Sequence, residues 1–553
     1  MYRLFWGLIA IFLCLLALMY WFSDGNIAGG GQADLYALVP KDAVYIVETE
    51  QPIDKWQQFK NGNIWQHLQQ NNYLAAVNAQ VENIEQSLSG KEEWLKLIFK
   101  GKLLTSTHVE FGTYQLLHLL DLQQASRLTE IPGLLRTLLK SSGFDIDSES
   151  YRNTTVYRLK DPQKPNEVLH LTFKGRALAA SYSAALLKKA LDSAENPHFT
   201  SAKDFNEVKS QTNSNGLANC YINHSVLFNL IGCYANLSTT PLAALEDVLS
   251  VSALQLDVQN DHVSMQGQSL LNDSSASYLK ALLQTGKGEM RAFNALPSNT
   301  SFFAAIGFDE FEQFRQALEQ VQGKPKEPKP AENIGDLIAE RVAEQVKKEL
   351  PNWIDQEIAL ALAPRPDKPA EQAYIAVVPT GNKREHVAQM LAKTLYTLEQ
   401  LNPFSIFRNE SKREYQGYRI IRLPVEGMLQ TVAGDFFKDM QQPYLVLMDE
   451  FLVFCDDETL LRNIIDQYAA QQTLASDKAF LAFFEHFNSH TSVFAYINMP
   501  AFYPVLMQKM KPEKQKIFAQ NKDDLLRFPH WGLQMLPEGK LYQTQIHADF
   551  DDK

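Results

Sequence analysis

Four segments of this 553-residue chain recur, in the same order, roughly half a chain later. "VPKDAVYI" from Val39 returns as "LPSNTSFF" from Leu296, displaced by 257 positions. "YRNTTVYRL" from Tyr151 returns as "YQGYRIIRL" from Tyr415, displaced by 264. "CYINHSVLFNL" from Cys220 matches "AYINMPAFYPV" from Ala495 at 275, and "ALQLDVQND" from Ala253 matches "GLQMLPEGK" from Gly532 at 279. One such pair arises easily by chance. Four collinear pairs with a slowly growing displacement are the mark of an internal duplication with small insertions. The chain is also too long for one hydrophobic core to serve it. Two homologous domains are therefore expected, over residues 38–293 and 294–553.

The coarse pattern repeats with the words. Each half opens with an apolar run of strand character (44–47 and 302–306), followed by a helix with apolar residues at three- and four-residue steps, such as Ile53, Trp56 and Phe59. Two strands follow: "HVEFG" and "LLHLLDL" in the first half, "EIALALA" and "AYIAVVP" in the second. Helices are expected over 131–143 and 385–401. The Tyr-Arg-Leu strand then leads into a hairpin, turning at Lys174–Gly175 in one half and Asp449–Glu450 in the other. A helix pair, the Tyr-Ile-Asn strand, another helix and a closing strand pair complete each half. Strands that succeed one another so directly must be antiparallel, because parallel pairing needs a long crossover. The fold class is α+β: two tandem domains of mostly antiparallel sheet, with helices expected on one face of each.

The N-terminus is of a different kind. Leu4 to Phe22 contains no charged residue across 19 positions, enough to span a bilayer as a helix. Leu4, Trp6, Leu8, Ile11, Leu15, Leu18 and Trp21 would contact lipid, with the tryptophans near the headgroups. Arg3 precedes the run and the next basic residue after it is Lys41, which orients the N-terminus inward. Its bulky exit, "MYWFSDG", lacks the small residues of a signal-peptide cleavage site. The expected plan is a cytoplasmic tip (1–3), a single-pass signal-anchor (4–22), a flexible tether (23–37) and two extracytoplasmic domains. A Pro-, Lys- and Glu-rich linker with an amphipathic helix, 323–350, has no twin in the first half and is expected as an insertion.

A formal net charge of −12 gives no basic face for nucleic acid. Four cysteines, one in the anchor, make no disulfide framework; Cys220 and Cys233 are read as buried free thiols, with a pair between them the alternative in an oxidising compartment. There is no phosphate-binding glycine loop, nucleophile elbow or zinc-protease helix. His486 and His490 are spaced to share a helix face, but no third ligand is evident, so neither metal nor cofactor is expected. Asp456, Asp457 and Glu458 sit where a strand gives way to a helix, the position of a cap. Asn223 and Asn498 occupy matched cap positions, and Tyr221 and Tyr496 matched core positions. Candidate partner-binding residues are the aromatic set Trp56, Phe59 and Trp65, and Ile334, Leu337 and Val342 on the inserted helix.

The N-terminal anchor, "LVPKDAVYIVET", the helix with "W..F", the "EIALALA" strand and "TSVFAYINM" together resemble a family of membrane-anchored bacterial envelope proteins with a domain of unknown function. That resemblance implies a bacterial, extracytoplasmic setting and transfers no functional residue. The expected role is non-enzymatic: a protein of the inner membrane that binds or scaffolds another envelope component, such as a secretion or outer-membrane assembly complex. An envelope hydrolase with a cleft between the halves and a lipid carrier are the alternatives.

Overall fold

The computed structural model describes residues 34–69, 100–122, 145–160, 167–213, 215–236, 248–275, 277–322, 352–401, 413–422, 440 and 443–552. The anchor residues Leu4 to Trp21, the helix expected over 131–143, and Ile334, Leu337 and Val342 lie outside them. No helix among the described residues is long and apolar enough to cross a membrane.

The described residues fall into two compact units, the first drawn from those between 34 and 236 and from 249–270, the second from 248 and from those between 271 and 551. In the first, β1 (Tyr45–Glu50) is followed by β2 (Lys102–Glu110), β3 (Thr113–Asp121), β4 (Asp145–Tyr151), β5 (Thr154–Lys160), β6 (Val168–Lys174), β7 (Ala177–Ser181), β8 (Ala218–Asn223), β9 (Leu249–Val258) and β10 (His262–Leu271). They lie in the order β10–β9–β8–β1–β2–β3–β7–β6–β5–β4. The second unit holds β11 (Gly288–Glu289), β12 (Phe302–Gly307), β13 (Glu357–Pro364), β14 (Gln372–Pro379), β15 (Glu414–Tyr415), β16 (Tyr418–Arg419), β17 (Ile421–Arg422), β18 (Tyr444–Met448), β19 (Phe451–Cys455), β20 (His490–Thr491), β21 (Val493–Asn498), β22 (His530–Glu538) and β23 (Leu541–Asp549). Its main sheet runs β23–β22–β21–β12–β13–β14–β19–β18–β17, the same order from β10 to β5, while β15 and β16 pair as a separate two-stranded sheet. The pairs from β9 through to β4 and from β23 through to β17 are antiparallel.

The pairing registers repeat to the residue. Ile46 faces Tyr221 across β1–β8, and Phe303 faces Tyr496 across β12–β21, displacements of 257 and 275. Tyr221 faces Ala253, and Tyr496 faces Gly532, a displacement of 279. Arg158 faces His170, and Arg422 faces Tyr444, giving 264 for the Tyr-Arg-Leu strand. All four displacements seen in the sequence are thus reproduced by hydrogen-bonded partners. A one-residue slip would have turned every core side chain outward, so the agreement is a stringent one.

The hairpin of β4 and β5 carries positive φ at Arg152 and Asn153 (48° and 58°), and its twin at Gln416 and Gly417 (48° and 80°), as a two-residue hairpin loop requires. Each is pinned to the helix that follows the β6–β7 or β18–β19 hairpin. The Tyr151 hydroxyl donates to Asp192 at 3.0 Å, and that of Tyr415 to Asp466 at 2.9 Å. A cation covers each ring: Lys188 Nζ lies 5.4 Å from the Tyr151 centroid and Arg462 Cζ 5.2 Å from that of Tyr415. This latch survives in both copies.

The centre of each sheet is covered more fully than helices on one face alone would require. Every residue of β7 and of β19 is buried. Successive side chains point to opposite faces of a strand, so both faces of the central sheet are covered, not one. The core of the second unit is aromatic there. Tyr496 lies 5.6 Å from Phe303, 5.0 Å from Phe480 and 5.6 Å from Phe483 by ring centroid, and the relevant helix runs Lys478–Phe484. Gly532 passes beneath these rings, where an added Cβ would sit 2.5 Å from Phe487 Cζ.

Candidate functional site

The aromatic set expected to face a partner packs on itself. A turn at Asn61–Gly62 divides it between two helices, Pro52–Lys60 and Asn63–Leu68. Trp56 meets Trp65 edge-on at 4.8 Å and Phe59 meets it at 5.5 Å. Trp65 is 4% exposed, while Trp56 and Phe59 are half-buried. Spacing placed them on one stripe; the break folds that stripe into a small core.

Asp457 and Asn498 cap their helices as expected, whereas the Asn223 side chain makes no cap bond. Asp457 accepts from Leu460 N at 2.7 Å at the start of the Glu458–Ala469 helix and pairs with Arg365. Asp456 accepts from Tyr374 N at 2.9 Å, and burial pushes its carboxyl up to about 6. Asn498 accepts from Ala501 N; Asn223 stands at the matched position and accepts from the Ser225 hydroxyl instead. The thiols of Cys220 and Cys233 are free, and burial pushes that of Cys220 up to about 12.

The histidine pair divides. His490 is exposed on β20, next to Ser489, whose hydroxyl lies 3.2 Å from its Nδ1. His486, just beyond the Lys478–Phe484 helix, stacks instead on His547 of β23, with ring centroids 4.1 Å apart. His547 Nε2 donates to Asp549 Oδ1 at 3.0 Å. The sequence contained the third ligand type, but 61 residues away, on a strand with a His-x-Asp spacing that puts both side chains on one face.

Sequence reasoning missed a second constellation entirely. Ser106, His108 and Glu110 alternate along β2 and so share a face. His108 Nδ1 donates to Asp42 Oδ1 at 3.0 Å, and its Nε2 lies 2.9 Å from the Ser106 hydroxyl. That hydrogen bond holds the Asp42 carboxyl down at about 2. Connectivity of this kind is the arrangement of a hydrolytic triad. Its exposure is the reverse of one: Ser106 and His108 are 0% exposed, while the Asp42 side chain is 40% exposed. A nucleophile needs a path to substrate, and this serine has no open surface.

The network continues to the end of the strand. Lys189 Nζ bridges Asp42 Oδ2 at 3.3 Å and Glu110 Oε1 at 3.0 Å. Glu110 Oε2 accepts from the Ser183 hydroxyl at 2.7 Å, and Ser183 also caps the Ala184–Ser193 helix. The last residue of β2 is therefore fastened to a helix. What it holds is the β2–β3 hairpin tip, Phe111–Gly112, closed by the pair Glu110↔Thr113.

Phe111 is the most exposed large apolar residue described, at 100%. Its φ is +51° and that of Gly112 +73°, a loop conformation for which Asn-Gly is the ordinary choice. A bulky side chain in the left-handed region costs about 1–2 kcal/mol. Its ring recovers nothing by burial. In the second unit the corresponding connection, between Pro364 and Gln372, is longer and charged, with Arg365 bridging Asp367 and Glu371. The duplicated scaffold is kept and the tip is changed.

Comparison with known proteins gives a family without a chemistry. A family model described as "Protein of unknown function (DUF3352)" matches residues 130–406 and 367–526. Among solved structures, one titled "Structure of crystal form IV of TP0453" is 12% identical, covers 43% of this chain and 81% of its own, and superposes with a TM-score of 0.23. No curated protein matches. The two overlapping family matches, spanning residues 130–526 of a chain whose registers repeat, make it an internally duplicated member of the DUF3352 family.

Proposed function

We propose that this chain is a binding protein of the bacterial cell envelope, not an enzyme. In this reading residues 4–22 anchor it in the inner membrane with the N-terminus inside. The two units lie outside, and the Phe111 hairpin docks into an apolar pocket of another envelope protein. One observation carries the proposal: a fully exposed phenylalanine in a left-handed conformation, on a hairpin braced through Glu110. Strain and an unburied ring both work against folding, and costs of that kind collect where a surface is used. Variable tips on a rigid, repeated scaffold are the usual way folds carry recognition. Bracing lowers the entropy lost when the tip is immobilised by a partner.

A photo-crosslinking amino acid at position 111 tests this in intact cells. A single crosslinked protein is expected at 111 and none at Asn153, the tip of the neighbouring hairpin. Equal labelling at both positions, or none at 111, removes the proposal. The hydrolase alternative has its geometric support in Ser106–His108–Asp42, and the sealed Ser106 counts against it.

A further inference from the structure

We propose that His486, His547 and Asp549 form a zinc site in the second unit. Each offers one ligand atom, and the three atoms lie within 4.8 Å of one another. Two come from one rigid element: His547 and Asp549 are two apart on β23, already in contact at 3.0 Å. Donors on a zinc ion with bonds of about 2.0–2.2 Å stand roughly 3–3.5 Å apart. The strand pair is thus at coordination distance before any ion arrives. What remains is for His486 to close on the pair, and that residue is exposed. His486 lies in the loop after the Lys478–Phe484 helix, so a side-chain rotation unstacks it from His547 and turns its nitrogen inward.

The surroundings are built to hold this arrangement. Gln545, two residues earlier on β23, donates from Nε2 to the His486 carbonyl at 2.9 Å, fixing the loop over the strand. Phe483 and Phe487 approach the His547 ring to 5.8 and 6.0 Å, limiting its rotation. His547 is 2% exposed and the Asp549 side chain 27%, so the site has a buried floor and an open rim at His486. Two imidazoles and one carboxylate are a zinc donor set that leaves a fourth position for water or for a donor from outside the chain. The first half lacks it. At a displacement of 279, Gln268 and Leu270 stand where His547 and Asp549 do. The site therefore belongs to the second copy alone.

The test uses the full chain, purified in mild detergent with its tag removed, dialysed against zinc chloride and measured for bound metal. One zinc per chain is expected, with cobalt(II) giving visible absorption bands when substituted. His486→Ala, a surface change that leaves the core intact, should weaken binding by at least about tenfold, since even residues behind the ligands contribute that much. Asp549→Asn should do the same, and His490→Ala should leave binding unchanged. Zinc raises the unfolding temperature of the native chain and not of His486→Ala. No retained zinc, or equal retention by His486→Ala and the native chain, overturns the site. Loss in His490→Ala alone overturns it in favour of the sequence-adjacent pair.

Discussion

Glu357 sits at the start of β13, 1% exposed, with Oε2 accepting from the backbone N–H groups of Arg291 at 2.6 Å and Ala292 at 2.8 Å. Burial pushes its carboxyl from 4.5 up to about 8, and the two backbone donors only partly oppose this. The folded chain therefore keeps this proton over a range where the unfolded chain has released it. Between pH 4.5 and about 8 the native state binds more protons, so stability falls as pH rises through that window. At 1.36 kcal/mol per unit, this single group removes about 5 kcal/mol by pH 8 and nothing more beyond it. Glu357→Gln keeps the shape and the acceptor oxygen and abolishes the titration. Urea unfolding of the second unit, followed from pH 5 to pH 9 for both chains, isolates the group by difference. With a urea dependence of about 2 kcal/mol per molar, the gap between the two midpoints should widen by ~2 M across the window in favour of Glu357→Gln. Parallel midpoint curves would show that the carboxyl titrates normally in the fold and refute the reasoning.

Phe111→Asn should stabilise the first unit by about 1 kcal/mol, because asparagine accepts the left-handed conformation and no burial is lost; calorimetry should show a rise of ~2–4 °C, and a fall would mean the ring is packed. Tyr151→Phe and Tyr415→Phe each delete one latch hydrogen bond and should cost about 1–2 kcal/mol, read by chemical denaturation; no loss in either would make the latch incidental. Gly532→Ala should destabilise the second unit by ~1–3 kcal/mol through the clash with Phe483 and Phe487, and a neutral thermal shift would contradict that packing. A fluorophosphonate probe should leave Ser106 unmodified in the folded chain and in membranes; stoichiometric labelling would revive the hydrolase reading.

The duplication was legible because strand register fixes sequence displacement. Each recurring segment carries strand residues, and partners such as Ile46–Tyr221 and Phe303–Tyr496 must shift together or not at all. Antiparallel order was legible from the short links between strands. The hairpin tip was not. "HVEFG" looks like one strand because phenylalanine favours β structure, yet β2 ends at Glu110 and Phe111 turns the chain. The usual Asn-Gly signal is absent at that loop. Trp56 and Trp65 misled for the opposite reason, since helical spacing continues across a turn that the helix does not. Polar clusters were the least legible. Asp42 lies 66 residues from His108, and His486 lies 61 from His547; only the folded chain brings each pair together. The repeat did help with the caps: Ser183 caps its helix where Asp457 caps the other, so that cap belongs to the shared scaffold.

The central claim is that the Phe111 tip holds a partner, and one comparison addresses it most directly. The tagged full-length chain and its Phe111→Asn variant are purified from membranes under mild detergent, and what accompanies each is quantified. The account predicts one envelope protein at near-stoichiometric amount with the native chain, and its loss from a variant that is folded and more thermally stable. Equal recovery with both chains, or no companion with either, would contradict it.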